Sequence, residues 1–170
     1  LTPNWPNASA IISMFGGHPQ EIPFCRTKPG FSIDFDALEK AVSPKTILLA
    51  YTSPSNPLGW VTTREDQKAL LDFCRRHRLW LLADEVYERI YFNGLVSPSI
   101  LRLCNKEDAV MVVQSFSKSY CMTGWRLGWL TAPPDLLLSL AKLTEYNIAG
   151  PATFVQHAGI VALREGEAHV

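Results

Sequence analysis

Four apolar runs stand out along the chain, at residues 46–51, 79–83, 109–113 and 127–131, each bounded by turn residues or charges. Runs this short, rich in Leu, Val, Ile and Ala, predict buried strands rather than helices. Between them the period changes. Leu70, Phe73 and Cys74 share one face of a segment ending at His77, with Thr62 and Glu65 as a capping box at its start and Arg75, Arg76 and Arg78 at its negative end. Phe35, Leu38 and Ala41 or Val42 mark a smaller amphipathic helix that starts at Asp34. Trp5-Pro6-Asn7 opens a short helix running to Phe15 and closed by Gly16-Gly17, and two more helices are predicted over 135–143 and 153–164, after the break at Pro133-Pro134. Residues 21–24, interrupted by Pro23, predict an edge strand, and 93–99 a loop.

Strand, loop and helix recurring at this spacing predict an α/β fold, a three-layer α/β/α arrangement with a mostly parallel sheet. Ligands bind such sheets beyond the carboxyl ends of the strands. Asn56, Asp84 and the Ser115-Phe116-Ser117-Lys118 segment each come directly after an apolar run, so three loops are expected to converge on one crevice.

Composition narrows the function classes. With 16 Lys and Arg against 16 Asp and Glu, the net charge is zero and no basic face invites nucleic acid. No apolar run approaches the roughly 20 residues of a spanning helix, so a membrane role is not expected. Cys25, Cys74, Cys104 and Cys121 are far apart and lack a C-x-x-C pair or clustered histidines, which indicates neither a disulfide framework nor a metal site and suits a reducing cytoplasm. The chain opens at Leu1, without Met or a leader, as though in the middle of an element, and reads as a piece of a longer chain.

The chemistry-bearing residues follow the strands. A lysine at a strand end, set among apolar neighbours, has its charged form disfavoured and becomes available as a nucleophile. Taken alone, Lys118 is equally a solvated loop lysine, Asp84 a helix N-cap, Trp5 a core aromatic and Arg126 a surface ion pair. Glu85 reads as solvated or structural. In the 53–59 loop, Pro54 and Pro57 restrict the backbone around Asn56 and suit the aiming of one side chain.

Trp5-Pro6-Asn7, Asn56-Pro57-Leu58-Gly59, Asp84-Glu85-Val86-Tyr87, and Ser115-Phe116-Ser117-Lys118 with Arg126 occur here in one order. In that order and approximate spacing the sequence resembles the pyridoxal-phosphate-dependent aminotransferases of the aspartate aminotransferase type, fold type I, classes I and II. The resemblance implies that Lys118 forms the Schiff base with pyridoxal 5'-phosphate and later moves the Cα proton. Asp84 is implied to pair with the pyridine nitrogen, Tyr87 and Asn56 to bond the phenolic oxygen, and Trp5 to stack on the ring. Ser115 and Arg126 are implied to hold the phosphate, with Ser117 assisting or only ordering the loop. Substrates would be an amino acid and a 2-oxo acid, the protein a homodimer.

Two departures bear on this resemblance. Leu58 stands where the family has Thr, leaving Asn56 and Gly59 in place. The family's N-terminal segment, with a glycine-rich phosphate turn, and its C-terminal small domain, with the arginine for the substrate carboxylate, have no counterpart, so residues 1–170 are expected to be the central part of the large cofactor-binding domain. Other readings are a lyase or synthase of the same fold, an aminotransferase-like regulatory domain, and a Ser-Lys hydrolase. The last rests on the S-x-x-K pattern of Ser115 and Lys118, but lacks the companion S-D-N and K-T-G elements.

Overall fold

The computed structural model describes all of residues 1–170. Its main sheet has four strands in the spatial order of the sequence: β3 (Leu48–Thr52), β4 (Trp80–Asp84), β5 (Val110–Ser115) and β6 (Gly128–Thr131). The first three are parallel and β6 runs antiparallel to β5, so the sheet is mostly parallel, as expected of an α/β fold. In register, Thr52 lies opposite Asp84, and Asp84 opposite Val113. The carboxyl ends of the three parallel strands therefore line up at one edge.

Alternation along the strands separates two faces. Leu49 and Tyr51, Leu81 and Ala83, and Val110 and Val112 all point into a fifteen-residue core, closed by α2 (Phe35–Ala41), α3 (Arg64–His77) and a 3-10 turn at Ile100–Arg102. On the other face Leu82, Met111 and Val113 are only half-buried. α1 (Asn7–Met14) buries no residue. Nor does α5 (Pro134–Ile148), while α6 (Thr153–Glu165) buries Val155 and Gly159, the latter packed on Leu127 and Phe116.

Local structure departs from the expected elements in four places. No strand forms over 21–24. Thr2 and Pro23 make a single bridge there, Pro23 having no N–H to continue it, and a hairpin of β1 (Cys25–Thr27) and β2 (Gly30–Ser32) follows. The capping box of α3 is Thr63 with Asp66, one residue later than expected, because Thr62 is buried and its N–H donates to Ser53 Oγ at 2.9 Å. Lys118 lies in a one-turn helix, α4 (Phe116–Ser119), rather than in a loop. Finally α5 continues to Ile148, past the expected end at 143, with Ala149 closing it in the left-handed region. No helix is long and apolar enough to cross a membrane.

Candidate active site

Asp84 is the last residue of β4, and its side chain points to the half-buried face. Its Oδ1 accepts the Val86 N–H at 3.2 Å, which closes a turn, not the start of a helix. Burial pushes its carboxyl above the usual range, while the Val86 N–H and the charge of Lys118 pull it back. A positive partner would therefore restore the ionised form. Glu85, its neighbour, turns to the core instead. It is 1% exposed, its Oε1 accepts the Ile100 N–H at 3.0 Å and its Oε2 has no partner. Of the two roles expected for Glu85, the structural one holds and the solvated one does not.

The turn after Asp84 carries Tyr87, whose hydroxyl oxygen lies 3.4 Å from the Nδ2 of Asn56 that donates to it. Asn56 is held by a loop that bonds mainly to itself. Ser55 N–H donates to Trp60 O at 2.8 Å, Trp60 N–H to Ser55 Oγ at 3.1 Å, and Gly59 N–H to Ser55 O at 2.9 Å. Gly59 has φ +64, a backbone that favours glycine, whereas Leu58 at the departure from the family pattern packs on the core.

β5 delivers the fourth group. Ser115 ends the strand and caps α4, its Oγ accepting the Ser117 N–H at 3.0 Å and lying 3.3 Å from Leu127 O, to which it donates. Lys118, three residues later, sets its Nζ 5.7 Å from the centroid of the Tyr87 ring. The apolar surroundings expected for it are absent: the side chain is exposed, because α4 has one turn and only Phe116 and Ser119 face inward. Thus Lys118, Asp84, Tyr87 and Asn56 come together from three segments that follow or end the parallel strands, at one sheet edge.

The remaining expected residues surround this group with less convergence. Arg126 is exposed, has φ +55, and spends Nη1 on Thr123 O at 2.9 Å. Ser117 makes no side-chain bond within the protein, but its carbonyl accepts Thr123 Oγ1 at 2.7 Å. Trp5 is 60% exposed and reaches the strand edge only through its neighbour: Asn4 Oδ1 accepts the Trp5 N–H, and Asn4 Nδ2 donates to Thr52 Oγ1 at 2.9 Å. A large cavity, about 1090 Å³, lies beside α1 and β3 and includes Trp5 and Asn4 but none of Asn56, Asp84, Tyr87, Lys118 or Arg126. Volume alone would misplace the site, and the converging polar groups are the better guide.

Sequence reasoning passed over Asn4, Thr123, Gly128 and the pair Glu88–Gln114. Gly128 was legible in principle, since a Cβ there would lie 2.6 Å from Gln114 O and push the β5 end out of line. The others carry no local pattern. No three His, Cys, Asp or Glu side chains are grouped to hold a metal.

The donor set fits pyridoxal phosphate in its chemistry. A primary amine, a half-buried carboxylate whose charged form wants a cationic partner, and a phenol with an amide supply what an aldehyde, a protonated ring nitrogen and a phenolate oxygen require. Known proteins point the same way. The family model for aminotransferase class I and II matches residues 1–169. The aromatic-amino-acid aminotransferase 2 of Thermococcus litoralis is 39% identical over 158 residues, covering 93% of this chain and 40% of the relative. The aspartate aminotransferase of Pyrococcus abyssi is 35% identical over 164 residues, with 96% and 42% covered. Among solved structures, an aromatic aminotransferase from Pyrococcus horikoshii superposes with a TM-score of 0.90 at 35% identity over 99% of this chain and 45% of that one. The chain spans about two fifths of the length of the curated relatives it matches. It belongs to the class I and II aminotransferases, the pyridoxal-phosphate-dependent family of fold type I.

Proposed function

We propose that the protein is an aminotransferase, moving an amino group between an amino acid and a 2-oxo acid with pyridoxal phosphate held covalently at Lys118. The observation that carries this is the approach of the Lys118 amine to the Tyr87 ring, with Asn56 on the phenol and Asp84 within electrostatic reach. Bound there, the cofactor supplies an electron sink for the charge left when a Cα proton is removed. Asp84 keeps a proton at the ring nitrogen, because its own ionised form, costly in a half-buried position, needs that partner. Tyr87 and Asn56 orient and stabilise an anionic oxygen by hydrogen bonding. Lys118 would hold the cofactor through its amine and, when that amine is free, would serve as the base that takes the substrate's Cα proton and returns it. Its exposure leaves the amine reachable by substrate.

Arg126 holds the phosphate with the guanidinium nitrogens not spent on Thr123, and Ser117 offers a free hydroxyl beside it. Ser115 can join them only by giving up its bond to Leu127 O. Trp5, exposed beside the neighbouring strand edge, would stack on the cofactor ring. Residues 1–170 form the central part of the large cofactor-binding domain, a reading supported by the two-fifths coverage of the relatives. Homodimerisation is supported by the exposed apolar side chains of α5 and α6, among them Leu138, Tyr146 and Phe154. A reducing compartment, the cytoplasm, is supported by four free cysteines.

The test is borohydride reduction of the full-length protein with its cofactor, followed by peptide mapping and a screen of amino acids for 2-oxo acid release. Label on the peptide containing Lys118, with stoichiometric 2-oxo acid formed in the half-reaction, is expected. Label on Lys28, Lys45 or Lys142 would overturn the assignment, and loss of the substrate's side chain or carboxylate in place of amino transfer would make the protein a lyase.

A further inference from the structure

We infer that Gln114 and Glu88 form a positioning pair that fixes Tyr87 against Lys118. The inference rests on the roles given above to those two residues. Gln114 is the penultimate residue of β5, directly before the cap of the Lys118 helix, and Glu88 directly follows Tyr87. Gln114 Nε2 donates to Glu88 Oε2 at 2.7 Å across 26 residues of sequence, and Gln114 is 8% exposed. A bond this short to a carboxylate, shielded from water, is charge-assisted and directional.

Its place in the backbone gives it leverage. The parallel ladder between β4 and β5 ends where Glu85 N–H donates to Val113 O at 2.9 Å, and beyond that point no backbone hydrogen bond joins the turn carrying Tyr87 to the segment carrying Lys118. By backbone hydrogen bonds that turn is otherwise tied only to itself and to the next loop, through Glu88 N–H to Glu85 O, Ile90 N–H to Tyr87 O, and Ser97 N–H to Glu88 O, and its other side-chain ties run to Asn56 from Tyr87 and to Glu167 from Arg89, neither of which reaches β5. Gln114 is held from the other side as well, since its carbonyl abuts Gly128 of β6 so closely that no Cβ fits between them. The amide thus transmits the position of β5 to the Tyr87 turn. Neither residue touches the reacting atoms; both act through Tyr87.

The experiment compares Gln114→Leu, Gln114→Glu and the exchange Gln114→Glu with Glu88→Gln in the full-length protein. Four quantities are read: kcat, KM, the absorbance spectrum of the bound cofactor, and amide hydrogen exchange at Tyr87 to Ile90 in the cofactor-free protein. Loss of one charge-assisted bond is expected to lower kcat by roughly tenfold in Gln114→Leu with KM held within about twofold, to shift the spectrum, and to speed exchange at the turn. Gln114→Glu, which sets two carboxylates together, is expected to do at least as much. The exchange restores the bond with donor and acceptor swapped, and is expected to recover the spectrum, the slow exchange and most of kcat. Gln114→Asn, one methylene short, serves if the leucine variant does not fold. An exchanged protein as impaired as the single variants overturns the inference. So does a Gln114→Leu protein that loses only thermal stability. If the wild-type protein itself shows no bound-cofactor spectrum, the assignment of Lys118 fails instead, and the exchange rates in the cofactor-free protein still decide whether the pair holds the turn.

Discussion

On one face of the sheet Leu81, Ala83 and Val112 are fully buried under α2 and α3, whereas on the other Leu82, Asp84, Met111, Val113 and Ser115 keep part of their surface open. Asp84 and Glu85, adjacent in sequence, show what this does to identical chemistry. Burial raises the pKa of both carboxyls. Glu85 meets the Ile100 N–H and Ser99 in the closed layer and keeps one oxygen without a partner, so its neutral form is favoured and it serves packing. Asp84 faces the open layer with Lys118 near enough to favour its charge, and one carboxylate oxygen remains available to a ligand. The closed face is spent on stability. The open face keeps its polar groups for chemistry.

Asp84→Asn should separate the faces most sharply. In the full-length protein it is expected to leave cofactor bound and to slow Cα proton removal by orders of magnitude, measured by stopped-flow absorbance, because a neutral amide cannot hold a proton at the ring nitrogen. Stability should change little. On the closed face the effects reverse: Leu81→Ala, at a side chain with no exposed surface, is expected to cost about 2–5 kcal/mol in urea denaturation. Its kcat should survive wherever the protein remains folded.

Tyr87→Phe comes next. It removes the bond from Asn56 and the one proposed to the cofactor oxygen, each worth about 1 kcal/mol, so a decrease of roughly ten- to thirtyfold in the rate of proton transfer is expected. A Tyr87→Phe protein slower than Asp84→Asn would reverse the two roles.

The smallest effect belongs to Glu85→Gln and lies in the pH dependence of stability. Because the folded pKa of Glu85 is raised, its favourable contribution is complete below the unfolded value near 4.5 and is lost as pH rises through the folded value. The variant has no such loss. The stability of Glu85→Gln minus that of the native chain is therefore expected to grow from pH 4 toward pH 7 in urea titrations. A difference that stays flat would mean that burial does not raise the Glu85 carboxyl in the folded state.

These contrasts bear on what could be read from residues alone. The four strands were legible because a strand buried between layers must be apolar along its length, and the loops after them because Asn-Pro, Asp-Glu and Ser-x-Ser-Lys interrupt that pattern abruptly. Asn56, Asp84 and Lys118 were expected at one crevice for the same reason, since parallel strands put their carboxyl ends at one edge, whatever the loops between them, whereas Tyr87 was singled out only by the family resemblance. The hairpin at 25–32 was missed, since three-residue strands with every residue of the first exposed leave no hydrophobic alternation to read. The capping box slipped by one residue because Thr62 and Thr63 are chemically equal until Ser53 engages the first.

What the sequence determined by itself is the apolar strands, their order, and the polar residues that follow their ends, because apolar runs and turn residues act locally. Only the tertiary structure decided that Glu85 turns into the core rather than to solvent, how exposed Lys118 is, and that Gln114 reaches Glu88 across 26 residues. Side-chain direction at a strand end depends on register against neighbouring strands, and burial depends on which helices cover which face. Both are set by contacts between segments far apart in the chain, and no window of sequence contains them.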